Sequence, residues 1–172
     1  TTLFRSAKQT LPLDNLPFPL MEEFYSGGIM SLVQRLQAII AEYDLLKHPY
    51  YQAWSNGQLT RDMLQRYALQ YYHQVDHFPR FISTVHSNCP EMEARKRLLE
   101  NLVDEELHGK DHPSLWRQFA YGLKATDAMI KDVDYLPETK AMVDTYYELA
   151  KSDWKNGLCA LFAYECQVDR KS

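Results

Sequence analysis

Residues 101–112 read Asn-Leu-Val-Asp-Glu-Glu-Leu-His-Gly-Lys-Asp-His, which gathers two glutamates and two histidines into one short stretch. The carboxylates of Glu105 and Glu106 can hold a cation, and the imidazoles of His108 and His112 can ligate through a neutral ring nitrogen. Written on a helix, Glu105 and His108 stand at i and i+3 on one face. That is the Glu-x-x-His unit with which helical bundles hold iron or manganese between packed helices. The competing reading is a solvated helix face, where Glu and His often occur together. Glu165 is the less ordinary carboxylate, because it follows an apolar run of Leu158, Cys159, Ala160, Leu161, Phe162, Ala163 and Tyr164. A buried carboxylate must be metal-bound, paired with a cation or protonated, so Glu165 is a candidate ligand, with a salt bridge or exposure as its alternatives. His73 and His77, at i and i+4 on an aromatic helix, join Tyr72 and His108 as candidate pocket-lining groups.

The elements that must position these groups are helices. Leu32, Leu36, Ile39, Ile40, Tyr43 and Leu46 repeat at three and four, the pattern of one amphipathic face. Pro49 forces a break or a fresh first turn. Thr60 is a good N-cap, and Asp62 suits the first turn of a long helix over about 61–86. Pro79 sits inside that helix and predicts a kink. The next helix starts near Pro90 with Leu98, Leu99, Leu102 and Val103 inward, and Gly109 weakens it between His108 and His112. Pro113 opens a further helix with Gly122 as its expected C-cap, Thr126 caps a short one, and Pro137 opens another. The last runs from about Gly157. No segment alternates at period two, so the chain reads as all-α, with about seven helices. Residues 1–27, with Pro12, Pro17 and Pro19, read as an extended arm, and residues 28–172 as one helical bundle domain.

The bulk properties narrow the function. The 172 residues suit one domain, and 45% apolar with 24% charged residues is a globular composition. A formal charge of −4 offers no field for nucleic acid or acidic membrane. No uncharged stretch is long enough to span a membrane, and no signal-peptide pattern opens the chain. Cys89, Cys159 and Cys166 lack metal-knuckle spacing and read as free thiols, which points to the cytoplasm. The final helix is apolar nearly all round and calls for cover by the arm, by further chain or by a partner subunit, so a homodimer is expected.

From Leu46 onward the sequence resembles a family. His-Pro-Tyr-Tyr-Gln-Ala-Trp (48–54), Asn56-Gly57, Tyr71-Tyr72, Glu93-Ala-Arg-Lys96, Asp104-Glu-Glu106, Leu115-Trp-Arg-Gln-Phe119 and Ala160-Leu-Phe-Ala-Tyr-Glu165 arrive in the order found in the haem-oxygenase-like proteins grouped with PqqC and TenA. Within that group the match is to the CADD-like branch of self-sacrificing para-aminobenzoate synthases, which serve folate synthesis. The resemblance implies a haem-oxygenase-like helical bundle and a two-metal centre of iron, or of manganese and iron, that uses molecular oxygen. It implies Glu105, His112 and Glu165 as metal ligands and Tyr51 as the tyrosine consumed to make the product. It favours Glu105 with His112, seven positions on, over Glu105 with His108. It also implies a later His-x3-Asp-x2-His helix and an amine-donating lysine, and no counterpart follows residue 172.

Two other functions remain open on the residues. One is a metal-free small-molecule enzyme of the TenA or PqqC kind, for which Cys166 beside Glu165 is the candidate nucleophile. The other is a non-enzymatic module whose helical surface binds a protein partner.

Overall fold

The computed structural model describes residues 31–107 and 111–168, and every regular element among them is helical. In chain order these are α1 (Leu32–Glu42), a 3-10 turn (Leu45–Lys47), α2 (Pro49–Ser55), α3 (Arg61–Asn88), α4 (Met92–Glu106), α5 (His112–Gly122), α6 (Asp127–Lys131), α7 (Pro137–Ser152) and α8 (Trp154–Val168). The all-α, haem-oxygenase-like class expected from the sequence holds, with eight α-helices among the described residues. None of these helices is long and apolar enough to cross a membrane. The expected arm over 1–27 and the candidate His108 lie outside the described residues.

The helices gather into two compact units. One comprises residues 57–160, and the other the described residues up to 56 with those from 161. In the first, α3 is the spine, packed against α4, α5, α6 and α7. It begins where predicted, with the Thr60 hydroxyl accepting from the Met63 N–H at 3.2 Å, and it continues through a buried Pro79 to Asn88. One face of α3 closes a core of Ala68, Leu69 and Tyr72 with Ala120, Ala125 and Ile130, against which Trp116 and Phe119 pack. Farther along, Phe81, Ile82 and Val85 are fully buried. The Phe81 ring stacks on Tyr146 at 5.1 Å and meets Tyr147 edge-on at 4.7 Å. Residue 157 must be small, because a Cβ there would lie 2.4 Å from Val85 Cγ2.

In the other unit, α1 opens with a capping box: the Ser31 hydroxyl accepts from the Gln34 N–H, and the Gln34 side chain accepts from the Ser31 N–H. The chain breaks at Tyr43, where Asp44 caps the 3-10 turn, so the single helical face predicted through Leu46 stops short. Leu32 and Ile39, read as inward, are 57% and 55% exposed. The Leu45 N–H donates to Gln167 Oε1 at 3.1 Å, tying the turn to α8. Next, α2 starts at Pro49 with His48 as its N-cap, whose Nδ1 accepts from the Tyr50 N–H at 3.2 Å.

Three further expectations need correction. Leu99, predicted inward, is half-exposed, while Leu98 is buried. The residue that turns left-handed after α5 is Lys124, at φ 69°, and not Gly122. There the Ala125 N–H returns to the Ala120 carbonyl at 3.0 Å, which satisfies a helix-end acceptor. Finally, α8 begins at Trp154, earlier than Gly157, because the Asp153 carbonyl accepts from the Gly157 N–H at 3.0 Å.

Candidate functional site

The helix carrying Glu105 ends one residue later, with Leu107 as its C-cap, and His112 is the first residue of α5. Glu105 and His112 therefore meet from two different helices, α4 and α5. Glu105 Oε2 lies 2.6 Å from His112 Nδ1. The carboxylate is buried, at 6% exposure, whereas the imidazole side chain is 49% exposed. The pair thus has a dry carboxyl end and a wet imidazole end.

Neighbouring residues set this geometry. Asp111 is the N-cap of α5: its Oδ1 accepts from the Ser114 N–H at 2.6 Å, and its Oδ2 from the Ser114 hydroxyl at 2.7 Å. Those donors hold the Asp111 carboxyl below the usual carboxylate range. Pro113 presets the first turn. A capped, proline-started turn holds the His112 backbone, so the imidazole is aimed at Glu105 by covalent geometry as much as by attraction. Chemically, a carboxylate against Nδ1 fixes the orientation of the imidazole. Either group can instead serve directly as an oxygen or nitrogen ligand.

The other candidates are taken in turn. Glu165 is half-buried on the part of α8 that belongs to the unit containing Tyr51. Among the described residues, no three His, Cys, Asp or Glu side chains converge into a group able to hold a metal ion. Tyr51 lies on α2, its ring stacked on Trp54 at 6.5 Å and edge-on to Tyr50 at 5.7 Å. His73 stacks on Tyr135 at 4.1 Å, and His77 Nδ1 lies 2.9 Å from the Tyr147 hydroxyl. Burial pushes both imidazoles below their ordinary value. The Tyr72 hydroxyl accepts from Arg117 Nε at 2.7 Å and from the second guanidinium nitrogen, Nη2, and it faces Asp76 Oδ1 at 3.4 Å. Burial pushes the Tyr72 phenol up, while Arg117 pulls it down. A groove in the unit of residues 57–160 is lined by Tyr67, Gln70, Tyr71, Thr139 and Met142, with none of the predicted pocket residues.

Sequence reasoning passed over Arg117 and Gln74. Arg117 gave no signal, since its partner Tyr72 is 45 positions away. Gln74 did give one, because it shares a helical stripe with Phe78, Phe81 and Val85, all buried.

Known proteins match this chain over most of its length. It is 41% identical over 145 residues to a 4-aminobenzoate synthase of Nitrosomonas europaea, covering 78% of this chain and 59% of that protein. It is 38% identical over 142 residues to a 4-aminobenzoate synthase of Chlamydia trachomatis, covering 82% and 62%. A pyrroloquinoline-quinone synthase of Klebsiella pneumoniae is 26% identical over 134 residues, covering 73% and 53%. The chain thus spans about three fifths of the length of the 4-aminobenzoate synthases it matches. Residues 33–172, which include the Glu105–His112 pair, match one family throughout, and the chain belongs to the TENA/THI-4/PQQC family.

Proposed function

We propose that this chain works in the metal- and oxygen-dependent synthesis of para-aminobenzoate, made from its own Tyr51. The observation that carries the reading is the buried Glu105 carboxylate set 2.6 Å from His112, in a chain 36% to 41% identical to 4-aminobenzoate synthases. An anionic oxygen beside an imidazole nitrogen is a donor set suited to iron or manganese. Glu105 and His112 would hold the ion, with Glu165 as the proposed third donor. When bound, iron, or manganese with iron, would supply the redox chemistry by which dioxygen oxidises an aromatic ring.

The chain's own residues would supply the aromatic ring and the ligands, with the amino nitrogen coming from a separate amine donor. Glu105 Oε2 and His112 Nδ1 lie 2.6 Å apart, so a cation held by both would have to replace that contact. The Asp111–Ser114 cap keeps His112 in place while that exchange occurs. Tyr51 supplies a ring with a para substituent pattern close to that of the product, at the start of a helix capped by His48. Tyr51→Phe keeps nearly all of the apolar area and loses one hydroxyl, so stability moves by about 1 kcal/mol while product formation stops. Intact mass after incubation with ferrous iron, a reductant and oxygen reads the outcome. Product that persists in the Phe variant, or turnover without a mass change at Tyr51, refutes the role.

A further inference from the structure

Tyr51 rides on α2, and a helix of seven residues does not hold itself in water. Its rings pack on one another, Tyr51 on Trp54 and edge-on to Tyr50. Contacts within one helix order its side chains but do not set its place in the fold. That place is set one step upstream. The chain enters α2 through the 3-10 turn Leu45–Lys47, where each bond leads to the next. Asp44 Oδ1 accepts from the Leu46 N–H at 3.0 Å, the Leu45 carbonyl from the His48 N–H at 3.0 Å, and His48 Nδ1 from the Tyr50 N–H at 3.2 Å. The first amide of such a turn has no partner inside it. The Leu45 N–H finds one 122 positions away, donating to Gln167 Oε1 at 3.1 Å.

On α8 the same side chain is held from its other end, since Gln167 Nε2 donates to the Ala163 carbonyl at 3.1 Å. With both halves of the amide engaged, the rotational freedom of a glutamine is lost and Oε1 is aimed by a bond. Leu or Met would fill the half-buried space and leave the Leu45 amide without this acceptor. Gln167 follows Glu165 by two positions, and both belong to the compact unit that contains Tyr51. The helix bearing the proposed third donor and the turn that launches the proposed consumed ring are thus joined by one hydrogen bond of fixed reach.

We propose that Gln167 is a positioning residue: its bond to the Leu45 N–H fixes α2, and with it the Tyr51 ring, against the part of α8 that carries Glu165. The proposal rests on the reading of Tyr51 as the consumed residue and deepens it. Two variants of the full chain separate this role from simple packing. Gln167→Met keeps length and helix preference and removes the acceptor, whereas Gln167→Glu keeps an oxygen for the Leu45 N–H. Amide hydrogen exchange over residues 45–56 is followed by mass, beside the rate of mass loss at Tyr51 with ferrous iron, a reductant and oxygen. The Met variant should exchange about fivefold faster over that segment, the worth of one neutral hydrogen bond, with residues 78–85 unchanged. Mass loss at Tyr51 should slow by about tenfold, because a displaced ring meets its oxidant out of line. The Glu variant should restore both. Wild-type exchange in the Met variant overturns the proposal, as does a wild-type segment already exchanging like an unstructured chain. Faster exchange with an unchanged rate of mass loss overturns it too, because the bond then steadies the helix without placing the ring. Equal losses in the Met and Glu variants overturn it by assigning the effect to the Ala163 contact. No mass loss in wild type, with exchange still governed by Gln167, removes the synthesis and leaves Gln167 as the anchor of α2.

Discussion

Removing either half of the Glu105–His112 pair should have unequal consequences, because the two halves sit in different solvents. His112→Ala leaves a carboxylate that is 6% exposed facing no imidazole. A buried charge stripped of its partner costs roughly 3–5 kcal/mol where both groups are dry. Here the imidazole is 49% exposed, and water can follow it into the vacated space, so a cost of about 2 kcal/mol is expected. Glu105→Leu instead removes the buried charge and leaves an imidazole that water already reaches. Replacing a buried ionic group by an apolar one of similar size is close to neutral, so this variant should lie within about 1 kcal/mol of wild type. For a chain of this size, His112→Ala should lower the thermal midpoint by about 4–8 °C. Glu105→Leu should move it by about half that or less. Thermal and urea unfolding followed by far-ultraviolet circular dichroism measure both, and the double variant closes the cycle. Equal losses in the two single variants would refute the asymmetry, as would a His112→Ala loss below about 0.5 kcal/mol.

Stability should also depend on pH through His73 and His77. Burial lowers both folded values below the ordinary 6.5, so the unfolded chain binds more protons as pH falls through that range. Unfolding free energy should therefore decline as pH drops below about 6.5 and level off beneath the folded values. A His73→Asn/His77→Asn double variant should show a flatter profile, and an unchanged slope would contradict the assignment. Gly157→Ala places a Cβ 2.4 Å from Val85 Cγ2 and 3.2 Å from Ala150 Cα. It should cost about 1–3 kcal/mol in urea unfolding, with partial rescue by Val85→Ala. No rescue would mean that the backbone contact at Ala150 dominates.

How far the sequence foretold the fold depended on the kind of signal. Caps and prolines are local, and Thr60, Pro113, Thr126 and Pro137 each mark a helix start that the structure keeps. Apolar periodicity is also local, but it reports which face is greasy and not whether anything covers it. Leu32, Ile39 and Leu99 carry the right spacing and are exposed all the same. The chemistry-bearing stretch gave its residue types at once and its geometry poorly. Glu105 and His112 meet through the turn after Glu106 and the Asp111 cap, and no helical repeat encodes that. The place of Gln74 on a buried stripe was legible in its spacing, whereas only the packed interior shows that its amide finds no partner among the described residues.

The brevity of α2 governs how the protein would fare under the proposed consumption of Tyr51. Seven residues make a helix about 10 Å long, well under the length at which a helix sustains itself in water. Its order is borrowed from the His48 cap, the Tyr50, Tyr51 and Trp54 rings and the neighbouring turn. Such a segment opens and recloses far more often than α3, whose 28 residues are anchored by a buried core. Amide hydrogen exchange should therefore be fast at residues 50–56 and slow at residues 78–85. A side chain removed from α2 would cost the molecule one short, loosely held segment. The spent protein would then persist as a folded species, separable from the unspent one by mass and not by shape.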